Sequence, residues 1–502
     1  MLDMKRGKNE DGRAALGLVV GVLALLVLIP AGCIGVRMLD STAPAVKVTP
    51  SQKAIGRAPA KITVEADEAA YGVCDLRATL VQGALSVPLG EVTYPPNPWW
   101  RFWRRGVHGS ALLEVEVGRE RIPELKEGTA TIRAEATNAS WARFGKGRTT
   151  VVETNIVVQL SPPRLEVLSA QHYINQGGSE CVVYRVSGSA TVSGVRVGSY
   201  FFPGYPLPGG AAGTRLAIFA FPWDADAGSV PTVAARDEAG NEAVAKFSYK
   251  LFPKIFNSET VELSDDFLHR VVPEILGQSG IASQGDLLKD FLEINRNMRR
   301  RNAATLVELA AASRPERLWN GAFTQLGNSK VEASFADHRS YRYQGRIVDQ
   351  QVHLGFDLAV TANHPVDAAN DGVVVLAKYF GIYGNAVVID HGLGLMTLYA
   401  HMSSIDVKEG EKVTRGQTLG RSGATGLAGG DHLHFSVLVA GIPVSPVEWW
   451  DAHWIHDRIE AKLAATASGQ PQLSEAPFSK TVPETAGRKP AATRHARRHG
   501  RR

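Results

Sequence analysis

Between residues 43 and 252 the chain repeatedly alternates apolar and polar residues, as in Lys61-Ile62-Thr63-Val64-Glu65, Ala111-Leu112-Leu113-Glu114-Val115-Glu116-Val117 and Ala130-Thr131-Ile132-Arg133-Ala134-Glu135-Ala136. A period of two is that of a strand with one buried face, and Gly, Pro and Asn turns separate the runs. Such strands hide their apolar sides only by stacking sheet on sheet, so an all-β sandwich is predicted over 43–160. A second set, with Ala190-Thr191-Val192, Val195-Arg196-Val197 and Thr214-Arg215-Leu216-Ala217-Ile218-Phe219-Ala220, predicts another over 162–252.

At Val233 to Ala243 two apolar runs flank Ala239-Gly240-Asn241, which suits a tight hairpin. This run resembles the last strand pair of bacterial immunoglobulin-like modules. From about Val261 the period becomes helical: Leu263, Phe267, Val271 and Ile275 share one stripe, and Leu287, Leu288, Phe291, Leu292 and Met298 another. Residues 258–318 therefore read as a helical connector, with a regulatory contact onto the following domain as a further expectation. Over 320–455 strand patterns return at 372–377, 386–390 and 395–399; Val407 to Val413 suggests a hairpin, and Gly416 to Gly430 glycine-rich loops walling a cleft. The fold class expected is multidomain: an N-terminal transmembrane helix, two all-β immunoglobulin-like sandwich modules, a helical connector and a mainly antiparallel-β catalytic domain.

Residues 14–36 carry no charge and are long enough, at about 1.5 Å per residue, to cross a hydrocarbon core about 30 Å thick. Lys5, Arg6, Lys8 and Arg13 precede the segment, which puts 1–13 in the cytoplasm and the rest of the chain outside. The expected localisation is the inner (cytoplasmic) membrane, single-pass, with the catalytic domain periplasmic or extracellular. A cleaved signal peptide and a lipid on Cys33 are the rival readings. Cys74 and Cys181 fall in separate modules and read as structural thiols. Pro95-Pro96-Asn97-Pro98-Trp99-Trp100-Arg101-Phe102-Trp103-Arg104-Arg105 suits either a membrane or sugar surface or a buried tryptophan plug. The net charge of +5 is partly local to a basic tail, 465–502, whose composition favours disorder.

His432-Leu433-His434 puts two imidazoles on one face of a strand. His353 and Asp357, four apart, can also face one way, and His401 lies between the two pairs. These groups can supply two imidazoles and a carboxylate to an open tetrahedral zinc site, with two imidazoles left for proton transfer: a hydrolase in outline. His364 and His391 stand in turn contexts and read as structural.

The same residues carry a resemblance. His353-x-Gly355-x-Asp357, Gly384-Asn385-x-Val387-x-Ile389-Asp390-His391-Gly392, Leu398-Tyr399-Ala400-His401 and His432-x-His434-Phe435 follow in the order found in lysostaphin-like (LytM-type) zinc peptidases of bacterial peptidoglycan. The resemblance covers about 330–450. It implies one Zn²⁺ on His353, Asp357 and His434, catalytic imidazoles at His401 and His432, and groove contacts at Asn385 and Tyr399. It further implies a zinc metalloendopeptidase acting on stem peptides or cross-bridges, which the segment 14–36 would anchor to the membrane; the alternative is a non-hydrolytic or latent envelope module that binds wall or activates a separate amidase. Peptidoglycan, the membrane and envelope proteins are the expected partners, and export argues against nucleic acid. Asp431 departs from the family pattern, where many members have proline.

Overall fold

The computed structural model describes residues 7–38, 42–95, 108–140 and 146–467. The Trp/Arg loop beyond Pro95 and the tail from 468 onward lie outside the described residues. Gly7–Met38 forms one helix, α1. Its side chains are described over 16–32, where Leu16 to Ile29 are exposed. Among the described residues no helix is long and apolar enough to cross a membrane. The predicted segment 14–36 lies inside α1; its membrane crossing is taken up as a proposal below.

In the first β region the alternation of the sequence becomes alternation of burial. Ala60–Asp67 buries every second side chain, including Ile62, Val64 and Ala66, and Ser110–Val117 does the same. These two strands and Ala45–Pro50 make a three-stranded sheet beside a five-stranded one built on Val73–Gln82, Gly128–Asn138 and Thr149–Val158. Their apolar faces share one core around Leu76, Leu80 and Ile132. The second region folds into two four-stranded sheets plus a parallel pair, His172–Asn175 with Tyr249–Phe252.

Thr232–Asp237 and Glu242–Lys246 pair as the expected hairpin. Asp237 Oδ1 accepts the backbone N–H of Ala239 and of Asn241, an Asx arrangement that shapes the turn. The same turn joins the two β regions, because Asn241 Oδ1 accepts Arg57 N and Asn241 Nδ2 donates to the Gln159 carbonyl.

The catalytic-domain region is a central antiparallel sheet in the order Lys330–Ala333, Phe356–Ala359, Leu433–Val439, Leu395–Met402, Asn385–Asp390, Gly372–Tyr379, Lys412–Val413. Leu395–Met402 and Leu433–Val439 are buried at every position, as strands covered on both faces must be. One face, with Leu398, Ala400 and Leu438, packs on Leu306 and Ala310 of helix Arg299–Ala311. The other, with Tyr399, Phe435 and Val437, joins Trp449 in a core continuous with the second β region.

Two segments differ from expectation. The connector opens with a strand, Ser258–Leu263, paired in parallel with Asp337–Tyr343; helices Asp265–Ser279, Leu287–Leu292 and Arg299–Ala311 follow. It packs on and pairs with the catalytic-domain region. Residues 408–411 form a turn, and Lys412–Val413 pairs with Gly372 and Val373 instead of closing a local hairpin. Cys74 and Cys181 are free thiols.

Candidate metal centre

Asp357 and His434 stand directly opposite each other on antiparallel neighbours, so both side chains leave the same face of the sheet. His353 ends a strand of a different, three-stranded sheet, and the chain crosses from one sheet to the other at Leu354-Gly355. The four-residue spacing thus spans two sheets and is neither one strand nor a helical turn. Gly355 is needed for this crossing: a Cβ there would stand 2.5 Å from His434 Cε1 and Nε2.

His432 lies two residues before His434 and bridges Gly423. His401 reaches the site by another route. Ala400 pairs with His434 and Tyr399 with Phe435, so simple alternation would send residue 401 to the Tyr399 side. His401 instead adopts φ 63, which breaks the alternation and turns the ring towards His432 and His434, 4.9 and 5.7 Å away between ring centres. Such a left-handed torsion costs a non-glycine residue on the order of 1–3 kcal/mol and is typical of functional positions.

Each of the four imidazoles spends one nitrogen outside the site. His353 Nδ1–H donates to the Ser334 carbonyl at 3.0 Å, His401 Nδ1–H to Thr425 O at 2.8 Å, and His432 Nδ1–H to Gly430 O at 2.8 Å. Ser436 Oγ donates its hydrogen to Leu354 O and therefore accepts from His434 Nε2–H at 3.0 Å. The inward nitrogens are left bare. His353 Nε2 and His434 Nδ1 lie 3.0 Å from each other and 3.0 Å from Asp357 Oδ1. Three buried lone pairs converging this closely repel unless a cation stands among them, and a two-imidazole, one-carboxylate set suits zinc. Asp357 Oδ2 is held by Arg339 Nη2 at 3.2 Å, and Arg339 Nε by Glu259 at 2.6 Å.

Electrostatics agree with this picture. Burial alone would raise the Asp357 carboxyl, but the imidazoles around it, His353 foremost with His432 and His434, hold it well below the ordinary carboxylate value. Burial, reinforced by His432 and His434, drives His401 well down, and burial lowers His434 to about 4. For His432 the cost of burial is outweighed by Asp357, and its pKa rises. The site opens into a cavity of about 350 Å³ whose walls include Glu259, Phe267 and Arg299 from the connector, Tyr383, and Leu427 and Gly430 from the glycine-rich loop.

The two expected groove contacts are elsewhere. Tyr399 faces away from the site, its hydroxyl accepting Ala369 N at 2.7 Å, because the alternation is reset only after it, at His401. Asn385 Nδ2 donates to Met402 O at 3.1 Å and is a strut between strands. His391 is a buried structural imidazole bonded to Asp371 O and Thr397 Oγ1. Asp431 ties the cleft loops, accepting from Ser422 Oγ and Asn363 N. Arg339 and Tyr383 also line the cavity and sit in none of the histidine motifs; the basic-aromatic run Arg339-Ser340-Tyr341 upstream of His353 is the available sequence signal.

Residues 351–446 match the model of peptidase family M23. The chain carries a peptidase family M23 domain. It is 40% identical over 119 residues to the peptidoglycan DD-endopeptidase ShyA of Vibrio cholerae, covering 24% of this chain and 27% of that protein. To the DD-carboxypeptidase/endopeptidase Mpg of Neisseria meningitidis it is 41% identical over 107 residues, 21% of this chain and 25% of that one. The chain thus spans about a quarter of the length of these relatives. Among solved structures, a putative peptidase M23 from Pseudomonas aeruginosa aligns over 55% of this chain and 94% of its own at 21% identity and a TM-score of 0.35. The catalytic domain of lysostaphin from Staphylococcus simulans aligns over 26% of this chain and 98% of its own at 26% identity and a TM-score of 0.23.

Proposed function

We propose that this chain is a membrane-anchored, zinc-dependent endopeptidase that hydrolyses peptide bonds in the stem peptides or cross-bridges of peptidoglycan. The observation that carries the reading is the convergence of bare His353 Nε2, His434 Nδ1 and Asp357 Oδ1, with the two imidazoles of His401 and His432 left over beside them. His353, Asp357 and His434 would hold the metal, which when bound polarises a scissile carbonyl and acidifies a coordinated water towards pKa about 7. The inward nitrogen of His401, kept neutral by burial, can take a proton from the attacking water. His432, beside Asp357 at 3.4 Å, can hold a proton for the leaving amine. Tyr383 and Leu427 form part of the cavity wall.

The helix α1 would provide the anchor through its uncharged stretch 14–36, and the two β regions, read as immunoglobulin-like, would hold the domain away from the membrane. Peptidoglycan as substrate is supported by the relatives named above. Mass analysis of fragments released from purified peptidoglycan tests the chemistry; new peptide termini should appear with the zinc-loaded chain. Protease treatment of spheroplasts tests the topology. Degradation of the region after residue 40 is expected, and its protection in intact spheroplasts would rule the anchor out.

A further inference from the structure

We propose that Glu274, on the connector helix Asp265–Ser279, is a positioning residue for His401, acting through a single shared peptide unit; this rests on the hydrolase reading above. His401 Nδ1–H donates to the carbonyl of Thr425 at 2.8 Å. The N–H of the same peptide unit, that of Gly426, donates to Glu274 Oε1 at 3.0 Å. In a trans peptide the carbonyl and the N–H lie in one plane and point in opposite directions. Glu274 and His401 therefore grip the two ends of one rigid dipole, and the hydrogen bond at its N–H end polarises the carbonyl that receives the imidazole hydrogen.

The loop needs such a hold. Gly423, Gly426, Gly429 and Gly430 crowd a segment whose carbonyls orient both His401 and His432, and glycine gives up the most backbone freedom on ordering. The connector grips it at a second point: Arg270 Nη2 donates to Ala428 O at 2.9 Å. Leu427 packs against the apolar cluster of the same helix, which includes Leu268, Val271 and Ile275. Glu274 is itself located by the Tyr379 hydroxyl, which donates to it at 3.2 Å. The connector thus reaches the chemistry through the loop, in addition to walling the cavity.

The full-length, zinc-loaded chain and its Glu274→Ala and Glu274→Gln variants would be compared for kcat and KM on soluble peptidoglycan fragments, for zinc content, and for the His401 ring tautomer by histidine-selective ¹⁵N NMR. A glutamine oxygen can still accept from Gly426 N, so Glu274→Gln should keep activity within a few-fold. Glu274→Ala should lose about 10–100-fold in kcat, with zinc content and KM unchanged, and the His401 signal should leave the Nδ1–H tautomer position. Equal kcat and an unchanged ring signal in Glu274→Ala would overturn the proposal, as would a loss of activity that merely follows zinc loss. If the zinc-loaded wild type cleaves nothing, the hydrolase reading falls, and the ring signal alone then decides whether Glu274 positions His401.

Discussion

One backbone torsion, at His401, decides which side chains share the cavity. Without φ 63 the ring would follow Tyr399 to the far face, and the site would hold one fewer imidazole. If the roles follow the geometry, Asp357→Ala and His434→Ala should lose bound zinc and hydrolysis together. His401→Ala should keep zinc while activity falls by about 10²–10⁴-fold, which metal analysis beside a cleavage assay checks. Gly355→Ala is a sharper probe, because its Cβ would push on the outer edge of the His434 ring and on Ser436 Oγ while leaving the three inward-facing donor atoms chemically unchanged. Zinc affinity should drop at least ~10-fold with the fold retained, as read by competition with a chelator; an unchanged affinity would show that the crossing can relax. The five histidine and aspartate positions stand in short motifs that the sequence displays, but only the sheet crossing at Gly355 and the torsion at His401 bring them to one cavity. Motif membership does not reveal that the Tyr399 hydroxyl bonds to Ala369 N on the face away from the histidines, or that Asn385 ties to Met402 O. Arg339 belongs to no such motif, and only the pairing of Asp337–Tyr343 beside His353 brings it to the carboxylate.

At the scale of elements, the connector is the main departure from the sequence reading. Its helices were legible from their apolar stripes, since Val271, Ile275, Phe291 and Met298 are indeed buried. The strand Ser258–Leu263 was not, because its partner is a parallel strand far along the chain and no local pattern announces a non-local pairing. Its ion pairs, Glu259 with Arg339 and Glu262 with Arg342, are cross-strand contacts that exist only once that register is set. The packing of Leu306 and Ala310 on the central sheet argues against a removable blocking segment. A fragment beginning near residue 320 should therefore melt lower and cleave more slowly than one beginning near 258, at matched zinc loading. A faster shorter fragment would make the connector a restraint instead of a support.

Across the whole molecule, the second β region and the catalytic domain are joined by buried polar groups. Glu448 accepts from Asn175 Nδ2, Ser179 N and Ser179 Oγ, and the Lys462 ammonium meets Glu180 at 2.7 Å, both almost fully buried. Burial pushes the Glu448 carboxyl up to about 7 from its ordinary 4.5, against the pull of those bonds. A raised acid stabilises the fold below its unfolded value and loses that contribution as pH climbs through the folded one. Stability should thus fall by up to about 3 kcal/mol between pH 4.5 and 7.5 on account of this group. His172 and His391, lowered to about 3 and about 4, work in the opposite sense, losing stability as pH falls below 6.5, so the difference between wild type and Glu448→Gln isolates the carboxyl. Thermal melts of the two proteins across that range should converge at low pH and diverge, with the variant higher, at high pH. Parallel curves would show that Glu448 does not titrate in the joint.

The sheets of the first β region are readable from period-two alternation, whereas this joint is not, since Glu448 and Glu180 look like ordinary surface charges until their partners are known. The most direct test of the central claim, a zinc-dependent peptide-bond hydrolase with His401 working beside the metal, is mass analysis of peptidoglycan treated with the zinc-loaded chain and with zinc-loaded His401→Ala. New amino and carboxyl termini within the peptides should appear with the wild type and be nearly absent with the variant. No cleavage by the zinc-loaded wild type, or equal cleavage by both proteins, would contradict it.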